Sequence, residues 1–110
     1  MDPEFYAFVR YLKRNLPHPR GRPVRVRTRN LASLFGSCNI DHWSCNITIA
    51  NWQTAESAID TLCHEWAHML DLHGRERKNM REEHRQSWGK HYAKVYQHYR
   101  KFKKEYDERA

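Results

Sequence analysis

The segment that most constrains this chain is Thr61–Leu70, which contains the pattern His-Glu-x-x-His at residues 64–68. In a helix, His64 and His68 lie one turn apart on one face, so both imidazoles can direct a ring nitrogen at one metal ion. Glu65 lies beside the first imidazole and can reach a water molecule on that metal. This is the geometry of a zinc peptidase, in which two histidines bind Zn²⁺ and the glutamate is the general base.

The residues around this pattern favour a helix over Ala55–Leu72. They are mostly apolar or good helix formers, and Gly74 supplies a stop after the last turn. Unpaired polar groups are costly in a protein core. A largely apolar helix that carries two histidines and a glutamate therefore needs a ligand or partners for them.

The rest of the chain predicts an α+β fold. Tyr6–Leu16 has the spacing of a short amphipathic helix, and strands are expected at Val24–Thr28, Leu31–Cys38 and Ser44–Ile49. A long last helix is expected from Asn79 to Tyr106. Its inward stripe follows helical spacing and consists of His84, Trp88, His91, Val95, Tyr99, Phe102 and Tyr106.

A catalytic zinc ion usually takes three protein ligands, so a third must come from another element. His84 is the leading candidate because it opens the apolar stripe of the last helix and should face inward. Glu82 or Glu83 is the alternative carboxylate ligand, and His73 and His91 are further candidates.

Other residues are candidates for supporting the reaction. His91, Tyr92 and Tyr96 are candidate donors to the oxyanion, and the sequence does not choose among them. Asp71, one turn past His68, is a candidate for orienting a ligand. Trp66 and Trp88 are expected to pack in the core or to wall the site.

Length and composition set the context. The 110 residues make one domain, and Met1–Phe5 is typical of translated cloning sites, so the native domain is expected to span residues 6–110. No stretch is apolar enough for a membrane, and three cysteines do not make a disulfide framework. We expect a monomeric intracellular protein, cytoplasmic or nuclear. One bridge between Cys38 and Cys45 is conceivable but not needed.

The charge is unevenly distributed. The net charge is +7, and it becomes +9 without Asp2 and Glu4. No acidic residue occurs between Tyr6 and Ile40, where there are eight basic residues. Such clustering suits a polyanion, most simply nucleic acid. The candidate nucleic-acid-binding residues are Arg20, Arg22, Arg25, Arg27 and Arg29.

Four motifs together resemble the SprT-like metalloprotease domain, which includes the DNA-dependent protease Spartan. They are Phe35-Gly36-Ser37-Cys38, Cys45-Asn46-Ile47-Thr48-Ile49, the segment Thr61–His68, and His84-Arg85-Gln86-Ser87-Trp88. The family commonly has Gly where Arg85 stands, and no Cys-x-x-Cys pairs follow the core. The resemblance is therefore to a minimal form without the C-terminal zinc ribbon.

The resemblance implies a zincin-like fold, with one zinc ion bound by His64, His68 and His84 and with Glu65 as the base. It also implies that a strand beside the cleft pairs with an extended protein substrate, here through Cys45, Asn46, Ile47, Thr48 and Ile49. Members similar to Spartan cut proteins crosslinked to DNA, which makes DNA an expected partner. The alternative is a non-catalytic basic module, regulatory or nucleic-acid-binding, that retains a zinc site.

Overall fold

The computed structural model describes residues 1–41, 43–72 and 86–109. In these ranges the chain forms a helix, three strands of one sheet and two further helices, which is the expected α+β arrangement. None of the described helices is long and apolar enough to cross a membrane.

The first helix, α1, spans Pro3–Asn15. The Asp2 side chain accepts a hydrogen bond from the Glu4 backbone N–H (2.8 Å), and proline at the first position suits a helix start. The predicted apolar face is buried, and it extends to Phe5, which is fully buried. The five residues that the sequence assigned to a cloning scar thus include the first turn of this helix.

The three strands are β1 (Val24–Arg29), β2 (Gly36–Ile40) and β3 (Cys45–Ala50). Their order in the sheet is β1-β3-β2, with β1 parallel and β2 antiparallel to β3. The predicted second strand began too early, because residues 31–35 form a loop before β2. Asp41 closes the turn after β2, since its carboxylate accepts from the backbone N–H groups of Trp43 and Ser44.

The strand register gives no disulfide. Cys38 lies opposite Ile47, and Cys45 lies opposite Ile40, so the two cysteines are not directly paired. Both are free thiols. The bridge considered from the sequence does not form in this structure.

The second helix, α2, spans Ala55–Leu72, the predicted bounds. Thr54 caps it, because its hydroxyl accepts from the Ser57 backbone N–H (3.2 Å). Most of its side chains are buried against the sheet, α1 and α3, including Leu62, Trp66 and Met69. The Trp66 indole N–H donates to the Leu16 carbonyl oxygen (2.9 Å), so this tryptophan belongs to the core.

The third helix, α3, is described over Gln86–Arg109. It packs against α1, where Phe8 contacts Tyr99 and Phe102, and Lys103 bonds to Glu4. Val95 and Phe102 of the predicted stripe are buried. The predicted start at Asn79 lies outside the described residues, as do His73, Glu82, Glu83 and His84.

Candidate metal centre and active site

One face of α2, called here the open face, is half-buried, whereas the apolar side chains on the other sides of the helix are mostly buried. Ser57, Thr61, His64, Glu65 and His68 are half-buried and follow the helical repeat along this face. The apolar side chains between them are buried in the core. Because the helix is fixed by packing on its other sides, the orientation of the two histidines and the glutamate is set by the fold.

The two imidazoles have a spacing that suits one metal ion. The ring centroids of His64 and His68 lie 5.8 Å apart. A Zn–N bond of about 2 Å places the ion about 3 Å from each ring centre, so rings that share one ion lie about 5–6 Å apart. These two residues therefore fit a shared zinc ion.

The described residues do not complete a metal site. No group of three His, Cys, Asp or Glu side chains among residues 1–41, 43–72 and 86–109 could hold a metal ion. His84, the expected third ligand, lies outside these ranges, and so do Glu82, Glu83 and His73.

Aromatic residues of α3 cover the two histidines. The Trp88 ring lies 4.6 Å from the His64 ring and 5.4 Å from the His68 ring, centroid to centroid. Its indole N–H points to the His64 carbonyl oxygen at 3.4 Å. Trp88 is half-buried and walls the site, whereas Trp66 lies in the core.

Tyr92 connects α3 to the open face of α2. Its ring lies 5.5 Å from the His64 ring, and its hydroxyl donates to Asp60 Oδ1 at 2.6 Å. Burial, followed by this bond to Asp60, raises the pKa of Tyr92 above its usual value. The hydroxyl is thus protonated and bound to a residue one turn before His64.

The other candidate donors to the oxyanion are His91 and Tyr96, and the candidate orienting residue is Asp71. His91 is half-buried on α3, and Asp71 is buried in the last turn of α2. Tyr96 is largely exposed and lies beneath the Arg100 guanidinium, 5.3 Å from its ring centroid.

The first residue of β2, Gly36, lies in close contact with α2. A Cβ atom there would lie 2.7 Å from Thr61 Cγ2, 3.0 Å from the Thr48 carbonyl oxygen and 3.4 Å from Glu65 Cγ. Only glycine allows the strand to approach Glu65 this closely. The sequence contained this glycine in the Phe-Gly-Ser-Cys motif but did not indicate its role.

Gln53, which the sequence analysis did not single out, holds the start of β2 against α2. Its amide N–H groups donate to the carbonyl oxygens of Phe35 (2.8 Å) and Ala50 (3.1 Å). Its amide oxygen accepts from the hydroxyls of Ser57 (2.8 Å) and Thr61 (2.9 Å). The sequence pattern that could have identified Gln53 is the pair of hydroxyl residues Ser57 and Thr61, which follow it at helical spacing on a largely apolar helix.

Cys38 lies on the same face of β2 as Gly36. Burial, followed by the negative charge of Glu65, raises the pKa of its thiol far above the usual value. The carboxylate of Glu65 therefore lies near the inner side of β2. The thiol remains neutral and is no candidate nucleophile.

β3, the strand predicted to bind substrate, is not at an edge of the sheet. β3 is the central strand, and its residues pair with β1 on one side and with β2 on the other. Its backbone is therefore not available to an added strand, and Cys45, Ile47 and Ile49 are buried. The strand order therefore leaves no backbone pairing for a substrate on β3, and a role of Cys45, Asn46, Ile47, Thr48 and Ile49 in substrate binding stays a prediction.

A family model for the SprT-like family matches residues 5–108, which is nearly the whole chain. The chain belongs to the SprT-like family. Comparison with curated proteins found no significant match, and comparison with solved structures found none either. Membership in the SprT-like family makes this a metalloprotease-related domain, and the open face of α2 is its candidate active site.

Proposed function

We propose that this protein is a zinc-dependent endopeptidase with a zincin-like architecture that hydrolyses extended or unfolded protein segments. The observation that carries the proposal is the open face of α2, where His64, Glu65 and His68 are held by a helix whose apolar side chains are packed in the core. Family membership supports the same reading.

His64 and His68 would hold the zinc ion, with His84 as the proposed third ligand. A bound zinc ion would supply the Lewis acid for peptide hydrolysis. Trp88 lies over both imidazoles and would restrict their rotation and exclude water from that side.

Glu65 would act as the general base. Its carboxylate would accept a proton from the attacking water and then pass it to the leaving amine nitrogen. Gly36 lets β2 lie against this residue, so the strand restricts the rotamers of Glu65. His91 and Tyr92 are the proposed donors to the oxyanion, and Tyr92 would have to exchange Asp60 for the substrate oxygen.

We assign substrate binding to β2 instead of β3. β2 is an edge strand of the sheet and lies against the residue proposed as the base. An extended peptide could add to it by backbone hydrogen bonds. Exposed aromatic rings stand where β2 begins, because Phe35 (57% exposed) contacts Trp52 (50% exposed) with 5.1 Å between centroids.

A second candidate function is association with DNA. Arg25, Arg27 and Arg29 alternate along β1 and are all exposed, so they lie on the face of the sheet opposite α2. No strand residue is acidic. Such a face suits the phosphates of a nucleic acid. Arg20 and Arg22 precede it, and Arg22 donates to the Asp41 carbonyl oxygen (2.9 Å).

Glu65→Gln is the substitution that tests the proposed function. With zinc-loaded protein and denatured casein, we expect cleavage to fall by at least about 100-fold, because a general base is lost. Bound zinc should stay at the wild-type level. Glu56→Gln, an exposed carboxylate in the first turn of α2, is the matched control and should retain activity.

The same assays separate the alternatives. His84→Ala should lose zinc if His84 is the third ligand, and each reaction is repeated with single-stranded DNA. A rise in cleavage with DNA would support a DNA-associated protease. Folded wild-type protein with one zinc ion per chain and no cleavage under either condition would favour the non-catalytic basic module.

A further inference from the structure

A groove between α1 and α3 lies apart from the open face of α2. Its volume is about 440 Å³, and it is lined by residues 7–14 of α1 and residues 102–109 of α3. The lining of α3 begins ten residues after Tyr92, or about 15 Å farther along the helix axis. The groove therefore does not belong to the candidate active site.

Each helix presents one stripe to the groove. The stripe of α1 contains Arg10, Tyr11 and Arg14, and the stripe of α3 contains Tyr106 and Arg109. Both stripes follow the i, i+3, i+4, i+7 spacing of one helical face. Three arginines from two helices thus line one concave surface.

The three guanidinium groups have no partner among the described residues. No hydrogen bond or carboxylate contact is formed by Arg10, Arg14 or Arg109 within that part of the chain. Lys103, on the same helix, instead bonds to both Glu4 and Asp107. Three positive charges against the single negative charge of Glu105 leave the lining with a net charge of +2, so this groove favours an anion.

The floor of the groove is aromatic. Phe102 stacks with Tyr106 at 5.4 Å and contacts Tyr11 at 5.6 Å, centroid to centroid. Tyr11 and Phe102 are nearly covered, while Tyr106 is half-buried and offers its ring to the groove. The acidic side chain in the lining is Glu105.

We propose that the α1–α3 groove binds a nucleoside phosphate, with its phosphates on the three guanidinium groups and its base on the ring of Tyr106. Guanidinium groups match phosphate oxygens with paired hydrogen bonds. Aromatic side chains stack on bases without regard to sequence. The volume falls within the range of small-molecule sites.

The ligand could come from two sources that share this chemistry, a free nucleotide or the 5′-terminal nucleotide of a single strand. The probes are adenosine diphosphate, inorganic pyrophosphate, and one single-stranded oligonucleotide with either a 5′-phosphate or a 5′-hydroxyl. Binding is measured by titration calorimetry or by fluorescence anisotropy. A preference for the 5′-phosphorylated strand over the free nucleotide identifies the strand end as the source, and the reverse identifies the nucleotide.

The decisive variant combines Arg10→Gln, Arg14→Gln and Arg109→Gln. It should weaken adenosine diphosphate binding by at least about tenfold, because charge-assisted hydrogen bonds to phosphate are lost. The matched control combines Arg25→Gln, Arg27→Gln and Arg29→Gln, which removes the same charge from the sheet and should leave that binding unchanged. All six side chains are exposed, and thermal melts verify that both variants are folded.

Two further variants, one of them with a matched control, test the details of the site. Glu105→Gln should strengthen binding because it removes the carboxylate from the lining, whereas Glu108→Gln, exposed on the same helix but outside the lining, should not. Tyr106→Leu should weaken the binding of adenosine diphosphate but not the binding of pyrophosphate.

Three results would overturn the proposal. The first is no binding of adenosine diphosphate by the wild type at millimolar concentration. The second is equal weakening by the two triple variants, which would indicate only general charge. The third is equal affinity for pyrophosphate and adenosine diphosphate, which would exclude a role for the aromatic floor. None of these results depends on peptidase activity.

Discussion

The two faces of the three-stranded sheet differ in burial and in polarity. The inner face packs against α2 and is formed by Val24, Val26, Thr28, Gly36, Cys38, Ile40, Cys45, Ile47 and Ile49. Apart from the buried Ala50 at its end, the outer face is polar and exposed or half-exposed, and it contains Arg25, Arg27, Arg29, Ser37, Asn39, Asn46 and Thr48.

The inner face allows little variation. At Gly36 even a single carbon atom would meet a side chain and a backbone oxygen at once. The outer face has no such restriction, and its arginines are repeated without an acidic neighbour in the strands. The difference indicates that one sheet separates two tasks, with the support of the candidate active site on one side and a charged surface on the other.

The largest effect is expected from a change on the inner face. Gly36→Ala should destabilise the protein by about 1–3 kcal/mol, the usual cost of overpacking a core. The Thr48 carbonyl oxygen belongs to the central strand and cannot move aside easily, so β2 should shift away from Glu65 and cleavage should fall. Urea unfolding and the casein assay measure both effects.

Ser37→Ala, the next residue on the opposite face, is the matched control. It should change the free energy of unfolding by no more than about 0.5 kcal/mol and leave activity intact. If Gly36→Ala proved as stable and as active as Ser37→Ala, the close contact between β2 and α2 would not exist in solution.

The next effect is expected on the outer face. Arg25→Gln, Arg27→Gln and Arg29→Gln together should leave stability within about 0.5 kcal/mol of wild type. If each arginine contacts one phosphate, the slope of log affinity against log salt for single-stranded DNA should decrease by about 0.7 per contact. If the affinities are equal at the 1 M salt reference, three contacts correspond to roughly 100-fold weaker binding at 0.1 M salt.

Val26→Ala provides the reverse control, because it changes the inner face of the same strand. It should reduce stability, since a partly buried side chain loses packing, and should leave DNA affinity unchanged. An unchanged salt slope in the arginine variant would remove the outer face as a nucleic-acid surface.

The sequence predicted the elements better than their arrangement. The predicted bounds of α2 were confirmed, because its residues are helix formers with an apolar pattern, and Thr54 caps the helix in the structure. β2 was extended over Leu31–Phe35 because apolar residues there looked like a strand. In the structure, Leu34 and Phe35 are exposed, and the Leu31 carbonyl oxygen accepts from the Trp52 indole.

The order of the strands could not be read from the sequence. A hairpin of β2 and β3 is local, but the parallel pairing of β1 with β3 spans the intervening strand. That pairing makes β3 central, which excludes the backbone role expected from the resemblance. Spacing alone cannot distinguish a central strand from an edge strand when both alternate.

The candidate site was predicted where its residues are local in sequence. His64, Glu65 and His68 belong to one helical turn, so spacing alone gives their shared face. Gly36 and Gln53 act through contacts between elements, and the bond from Tyr92 to Asp60 joins residues 32 positions apart. Such contacts depend on packing, which single-sequence patterns do not contain.

The smallest effect on stability is expected for Asn39→Cys, which compares an exposed thiol on the outer face of the sheet with the native thiols. Burial raises the pKa of Cys38, of Cys45, and of Cys63, the last to about 12. An ordinary thiol has a pKa near 8.5, so roughly a quarter of it is thiolate at pH 8. In Asn39→Cys the new thiol lies on the exposed outer face. Iodoacetamide should therefore label it readily, with a rate that rises between pH 6.5 and 8.5.

The wild-type thiols should remain unlabelled over the same pH range, because the neutral thiol does not react, Cys45 and Cys63 are buried, and Cys38 is partly covered on the inner face of β2. Unfolding in urea should expose three thiols in the wild type and one more in Asn39→Cys. Mass spectrometry of the labelled peptides assigns each site. Rapid labelling of Cys38 in the folded protein would mean that α2 does not cover the inner face of β2. The contact between that strand and Glu65 would then have to be abandoned, together with the role given to Gly36.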